Sequence, residues 1–378
     1  MADTYPIPTV FWITPWYPSR IHATLGNFVE RHTRVASRRA EIYLLHFFSS
    51  SHSNNQIEPI KEAGFQGHHY FYKNSMTGKV RLFIHLIQQL RTRSARTAIV
   101  HLTIFHETYW IAVLCRLIIR KPVVCTEHWT GYHNGKFQEL PLWRRMMIRW
   151  SSGFVDEFLP VTKHLGQCMV QCFHRRISYS VLPNVVDTQV FTPGAEGGKK
   201  FDFVHISTLD TQHKRPEAIL RQFAKVKDQY HSATMSMGGD GDNRGLIKLA
   251  EELGLGNSVT FFGELKSREV AEKLRQSRCL VLYSRYENFP CVIPEAWACG
   301  TPVIASDVGG IREWLTDELG LLVSPDREDD LGEAMLLFMK NKHIYKRDVL
   351  AEYASKHFGE ESVTQLVNTI YNRHLMHV

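Results

Sequence analysis

The sequence predicts an α/β protein of two domains, each built on a parallel sheet. Short β-branched or aromatic runs alternate with helix-length amphipathic stretches along the whole chain, the sign of repeated βα units. With 378 residues, 44% apolar and 22% charged, there is enough material for two separate cores and too much for one small binding module. Near the middle, residues 191–200 (FTPGAEGGKK) put Gly, Pro and charge between apolar flanks and read as an interdomain linker.

The first domain is expected over 1–190, with strands at Thr9–Thr14, Glu41–Phe47, Ala98–Ile104, Pro122–Glu127, Glu157–Val161 and Tyr179–Leu182. The second is expected over 201–359, with strands at Phe201–Ile206, Ala233–Met237, Ser258–Phe262, Cys279–Tyr283, Pro302–Ala305 and Gly320–Val323. The Ser/His/Asn run at 49–56 reads as a polar loop. In the last stretch, 360–378, Val363, Leu366, Val367, Ile370 and Tyr371 recur at helical spacing, so a helix there needs a surface to cover.

Composition narrows the function classes. Met1–Pro8 has no basic segment followed by an apolar run, and no stretch reaches the roughly eighteen apolar residues of a membrane span, so a cytoplasmic protein is expected. Seven cysteines, mostly within apolar runs, fit no secreted framework and read as reduced packing residues, Cys168 and Cys172 included. Residues 1–190 hold 22 Lys/Arg against 11 Asp/Glu, a net of +11, while the remainder holds 23 against 27, a net of −4. That asymmetry points to an anionic partner for the first half: a phosphorylated acceptor, an anionic bilayer surface or nucleic acid. Two stretches there, Lys79–Arg96 and Leu142–Trp150, mix Arg with apolar residues at helical spacing. Such helices either cover a core or lie on a bilayer, which would place the protein peripherally on the inner face of the membrane.

The segment richest in chemistry is Tyr283–Gly310, YSRYENFPCVIPEAWACGTPVIASDVGG. A strand leads into a loop holding Glu287, and a helix starting after Pro290 carries Glu295, so both carboxylates face the crevice past the carboxyl ends of a parallel sheet. The amides of Phe289, Cys291 and Val292 lie near that helix start, where free N–H groups suit a diphosphate. Two carboxylates accept the paired hydroxyls of a sugar and a ribose, although spacing alone equally allows two solvated acids. In Met235–Leu265 a strand meets a glycine turn, Gly238, Gly239 and Gly241, that lets a ligand approach the backbone. In Phe201–Pro216 a strand is followed by Lys214, whose ammonium can stabilise a leaving diphosphate. In Ile13–Arg31, Gly26 heads a helix. In Lys121–Tyr132, His128 and Trp129 end a buried strand, with an imidazole to bond a hydroxyl and an indole to pack on a sugar face.

Together these motifs resemble the family-four retaining glycosyltransferases of the GT-B fold (glycosyl transferases group 1). The likeness runs from Glu287 through Glu295, Ala296, Gly300, Pro302 and Ala305 to Gly309, Gly310 and Glu313, and includes LPNVVDTQVF at Leu182–Phe191. It implies two facing Rossmann-like domains with a cleft between them, and a terminal helix, 360–378, that returns to cover the first domain. By the resemblance Glu287 holds donor-sugar hydroxyls, Glu295 the ribose hydroxyls, Lys214 the diphosphate and His128 a sugar hydroxyl. Gly26, Gly239 and the amides of Phe289, Cys291 and Val292 approach the donor, and the backbone near Leu265 faces the nucleobase. The family's Gly-Arg before Lys-Gly is Ser207-Thr208 before Lys214-Arg215 here, which leaves open whether Arg215 or a residue of the first domain supplies a second positive charge.

The activity so implied is transfer, with retention, of a hexose or N-acetylhexosamine from a nucleotide-diphosphate sugar to a glycan or lipid-linked acceptor, without a metal or other cofactor. A nucleotide-sugar epimerase or an inverting transferase could use the same fold, and the paired glutamates argue against both. A dinucleotide oxidoreductase lacks its glycine spacing here. A non-enzymatic nucleic-acid binder is the reading from another class, motivated by a pI near 9.0 and disfavoured by the lack of any recognised binding module.

Overall fold

The computed structural model describes residues 7–50, 56–194, 197–341 and 344–376. Parts of the expected loop at 49–56, of the linker at 191–200 and of both termini lie outside the described residues. The chain divides into two compact units: residues up to Val185 together with those from Glu361 onward, and Val186–Glu360.

The first unit carries a seven-stranded sheet: β1 (Thr9–Thr14), β2 (Glu41–Ser49), β3 (Gln56–Glu62), β4 (Phe65–Tyr72), β5 (Ile99–Thr103), β6 (Val123–Glu127) and β7 (Glu157–Pro160). Their order is β3-β4-β2-β1-β5-β6-β7. Around it lie α1 (Asn27–Ala36), α2 (Met76–Arg93), α3 (Phe105–Ile118), α4 (Lys136–Glu139), α5 (Leu142–Ser151) and α6 (Lys163–Phe173). β5 and β6 are buried at every position, as parallel strands between two helical layers must be. Period-two alternation assigns the side chains to layers. Phe11, Ile13 and Leu45 meet Leu82, Leu86, Ile111 and Leu165 on one face. On the other, Val10, Trp12 and Leu44 meet Val29 and Val35 together with Val363, Val367 and Ile370.

Two features depart from expectation. β3 and β4 form a hairpin in the region read as strandless, and β3 runs antiparallel to β4, so this sheet is not wholly parallel. β3 is an edge strand with Pro59 inside it, which only an edge tolerates. The expected strand at Tyr179–Leu182 is instead an extended segment with one bridge, between Phe158 and Tyr179. Phe158 N donates to Ser178 O, Ser180 N to Phe158 O and Leu182 N to Pro160 O. The bond that would complete the ladder needs an amide hydrogen at Pro160, and proline has none.

The second unit has β8 (Phe201–Ser207), β9 (Met235–Gly239), β10 (Val259–Phe262), β11 (Ser277–Leu282), β12 (Val303–Ser306) and β13 (Gly320–Val323). All pairs are parallel, in the order β10-β9-β8-β11-β12-β13. Its helices are α7 (Pro216–Gln229), α8 (Arg244–Glu252), α9 (Ser267–Arg275), α10 (Val292–Ala298), α11 (Glu328–Asn341) and α12 (Arg347–Phe358). Phe203, Met235 and Val281 pack on α7 and α11 residues such as Phe223 and Phe338. On the reverse face Val204, Leu280 and Val303 pack on Ile293, Trp297 and Leu350.

The last helix, α13 (Glu360–Leu375), is fixed to the first unit by its apolar stripe and by a polar clasp. Buried Glu157 accepts from Arg373 at 2.6 Å, from His374 at 2.8 Å and from Ser180 at 2.5 Å. Burial alone would raise the Glu157 pKa, but the hydrogen bonds from His374 and Ser180 and the Arg373 charge outweigh it and hold the carboxyl below its usual range. A folded-state pKa below the unfolded one stabilises the fold above the ordinary carboxylate range, and the gain is lost as pH falls through it. Glu157→Gln should therefore cost about 1.5–3 kcal/mol in urea melts at neutral pH. The difference from the native chain should shrink below about pH 4.

Candidate active site

In a parallel sheet the loops at the carboxyl ends of the strands share one edge, and a crevice opens where neighbouring strands send their connections to opposite sides. In the second unit that reversal falls between β8 and β11. Lys214 follows β8, Glu287 follows β11, and the two meet as an ion pair. The turn that returns Lys214 to the edge is held by Asp210, whose side chain accepts from His213 N at 2.8 Å and whose carbonyl accepts from Lys214 N at 2.7 Å. Leu209 and Arg215 bound this turn with φ of 55° and 46°, a left-handed conformation uncommon outside glycine. Burying Leu209 in the core anchors one end of it.

His213 joins the pair and was not singled out by the sequence reading, where only its adjacency to Lys214 hinted at a role. Its ring stacks on Tyr286 at 4.2 Å, and Nε2 donates to Tyr286 O at 2.6 Å while lying 3.6 Å from the Glu287 carboxylate. Burial, and then the Lys214 charge, lowers its pKa. The positive partner of Glu287 is thus the lysine. Arg215 takes no part in this pair: its guanidinium lies over the Tyr283 ring, 4.0 Å from the centroid, and Nε donates to Tyr283 O.

The loop carrying Glu287 is wedged in place. The Phe289 side chain is buried against Phe358 and Trp297, so its ring belongs to the core and not to a ligand surface. Gly310 N donates to Asn288 O at 2.9 Å. Gly309 has φ of 57°, and a Cβ there would lie 1.6 Å from Glu287 O. Cys291 and Val292 begin α10, and Glu295 sits in its first turn. Glu287 is 6% exposed and Glu295 5%, so neither is the solvated surface acid that spacing alone allowed. Gly239 ends β9 opposite Ser207, and half-buried Leu265 follows β10. Every donor-side candidate of this unit therefore lies at the carboxyl end of its sheet or at the start of the helix that follows.

The first unit repeats the arrangement, with its reversal between β1 and β5. Trp16, after β1, reaches across it: Nε1 donates to Glu107 at 3.1 Å. Gly26 caps α1 with φ of 79°, and a Cβ there would lie 2.5 Å from the Trp16 carbonyl carbon, so the loop packs directly on the helix start. The His128 ring lies on Phe28 with centroids 4.0 Å apart. Burial, and then the neighbouring His32 and His101, push its pKa well below the imidazole range, so it acts as a neutral hydrogen-bonding group. One face of Trp129 is already taken by His106, stacked at 3.8 Å, which limits the sugar packing expected of it. Glu127 braces this edge. Its carboxylate accepts from the amides of Phe105, His128 and Trp129 at 2.8, 2.9 and 2.9 Å, tying the β6 end to the start of α3. Burial pushes its pKa up to about 7 against the pull of those same hydrogen bonds.

Two doubly wound sheets with polar groups gathered past their carboxyl ends define a two-unit α/β protein of the kind that binds ligands at that edge. A family model described as Glycosyltransferase Family 4 matches residues 25–190, and one described as Glycosyl transferases group 1 matches residues 188–357. The chain belongs to the family-four-like GT-B glycosyltransferases. It is similar to the sucrose-phosphate synthase of Thermosynechococcus elongatus in structure, with a TM-score of 0.78, 18% identity and coverage of 98% of this chain and 100% of that one. It is likewise similar to Anabaena HepE in complex with UDP, with a TM-score of 0.75, 17% identity and coverage of 97% and 100%. In sequence it is 27% identical over 171 residues to the N-acetyl-alpha-D-glucosaminyl L-malate synthase of Bacillus anthracis, 44% of each chain. The chain spans less than half the length of the curated relatives it matches.

Gly309→Ala tests the wedge. The added methyl has to displace the Glu287 main chain and take a left-handed φ, at about 1–3 kcal/mol. A lowered Tm is expected, with donor-dependent activity falling further than the loss of folded protein explains.

Proposed function

We propose that the chain transfers a hexose or N-acetylhexosamine, with retention of anomeric configuration, from a nucleotide-diphosphate sugar to a glycan or lipid-linked acceptor. The observation that carries the reading is the Lys214–Glu287 pair, half-buried lysine on buried carboxylate, at the β8/β11 reversal, beside the start of α10. A lysine held there can bind a diphosphate, and a carboxylate beside it can bind sugar hydroxyls. A UDP-bound neighbour in the same fold supports a nucleotide donor.

In this reading an arriving diphosphate takes over the Lys214 ammonium and releases Glu287 to the hydroxyls of the donor sugar. Glu295 holds the ribose, while the amides of Phe289, Cys291 and Val292, with Gly239, approach the phosphates. The backbone at Leu265 borders the nucleobase, and Gly26 and neutral His128 serve from the first unit. The bond between the anomeric carbon and the diphosphate oxygen breaks as the acceptor oxygen attacks the same face. The acceptor proton passes to the departing phosphate oxygen, and Lys214 with the helix amides offsets the charge left there. Transfer is proposed to be metal-independent. Among the described residues no group of three or more His, Cys, Asp or Glu is arranged to hold an ion.

The test is a thermal-shift panel of UDP-, GDP- and ADP-sugars followed by turnover with the stabilising donor. A donor at 100 times its Kd should stabilise the fold by about 2.7 kcal/mol. Glu287→Gln combined with Glu295→Gln should lower turnover by at least about 100-fold, equivalent to about 2.7 kcal/mol. Retained turnover in that double variant, an inverted anomer by NMR, or complete loss of activity in chelator would each contradict part of the reading.

A further inference from the structure

Helix α5 buries Ile148 but turns a second apolar stripe outward. Leu142, Trp143, Met146 and Trp150 are between 53% and 64% exposed, and Met147 beside them is also exposed. Two of the three arginines of the same helix reach inward: Arg144 Nη2 donates to His106 O at 3.1 Å and Arg149 Nε to Cys172 O at 2.8 Å. Those bonds fix the rotation of the helix, so the apolar stripe is held outward and cannot be hidden by a small roll. The stripe does not stand alone. α5 packs on α3, which exposes Leu117, and α3 packs on α2, where Phe83 stacks on Trp110 at 6.1 Å and Val80 and Ile84 face outward. A soluble surface seldom shows so continuous an apolar face without something to cover it.

Charge identifies the occupant. From Lys73 to Asp156, the stretch that supplies these helices, there are thirteen Lys/Arg and four Asp/Glu, and one of those acids, Glu127, is buried. Lys79, Arg81, Arg91, Arg116 and Arg120 are exposed around the apolar face. A second copy seated isologously would bring two such basic rims together, which is unfavourable. An anionic lipid surface matches both halves of the pattern, with headgroups for the rim, acyl chains for Leu142, Met146 and Leu117, and an interfacial level for Trp143 and Trp150.

We propose that the α2–α3–α5 face docks this protein on an anionic bilayer, with α5 as the inserted element. The docking does not need the transfer chemistry. What rests on the function proposed above is its consequence, that the acceptor is a membrane-held amphiphile. The Leu142 end of α5 is tied through Arg144 to His106, which stacks on Trp129 at the carboxyl edge of the first sheet, so an acceptor head leaving the bilayer there has a short way to go.

The experiment is co-sedimentation of the full chain with vesicles of phosphatidylcholine containing increasing phosphatidylglycerol, read together with Trp emission. Binding should rise with the anionic fraction, fall at high salt and blue-shift the emission. The triple variant Trp143→Ser, Met146→Ser, Trp150→Ser should lose roughly tenfold or more in partitioning, and Lys79→Glu with Arg120→Glu should lose it in proportion to anionic lipid. Exposed side chains are changed in both variants, so unaltered melting curves check folding. Absence of vesicle binding at every lipid composition, equal binding by the triple variant, or a concentration-dependent dimer that the triple variant abolishes would each overturn the proposal. None of these readouts uses turnover, so a failed transferase assay leaves them interpretable.

Discussion

A parallel sheet covered by helices on both faces has nowhere to put reactive polar groups except at the ends of its strands, and both units obey that constraint. Apolar layers close each face. Two histidines that the strands bury in mid-sheet are neutral and bonded. His205 bonds Val281 O and Ser207 Oγ at 2.8 Å each, and burial lowers its pKa to about 4. His101 bonds Tyr371 and Thr126 and lies flat on Trp12. A charge at either position would face several kcal/mol of desolvation with no counter-ion, so the charged chemistry is displaced to the loops.

At that edge the Lys214–Glu287 pair is a compromise rather than a source of stability. Taking both charges out of water costs about as much as their attraction returns, and removing one partner is worse than removing both. Such a pair is poor structural cement and a good placeholder. Each side chain is held mostly out of water past the carboxyl ends of the strands, and in the function proposed above an incoming diphosphate would present Lys214 with more negative charge than the single carboxylate it replaces. The surroundings are built to hold that geometry: Asp210 fixes the turn, Gly309 lets the chain press on Glu287, and Phe289 is sunk in the core.

How far the sequence could be read follows the same physics. β1, β2, β5, β6 and β7, and all six strands of the second unit, were legible because each is a short apolar, β-branched or aromatic run set between helix-length stretches. β3 and β4 were not, because an edge hairpin alternates His, Gln, Glu and Lys with its apolar residues, and that pattern looks like loop. The Tyr179–Leu182 segment has strand composition, yet the proline that disrupts its ladder sits in its neighbour, β7, outside any local window. Lys214 and Glu287 were found through motif likeness, not through spacing. The direction of Arg215 and the arrival of His213 depend on partners about seventy residues away, and the link from Glu127 to Phe105 spans 22, which no local pattern encodes.

The contrast between α5 and α13 carries this furthest. Each has an apolar stripe at helical spacing beside basic residues, and each could have been a core-covering helix. In α13 the stripe is buried against Val10 and Trp12, and the basic end is neutralised by a buried carboxylate, Glu157. In α5 Arg144 bonds to His106 O and Arg149 to Cys172 O and the His174 ring, neither of them to a carboxylate. The apolar side is therefore turned outward while net positive charge remains just beneath it. A water-facing surface gains nothing from that arrangement, whereas a surface meeting apolar chains under a negative layer gains from both terms at once.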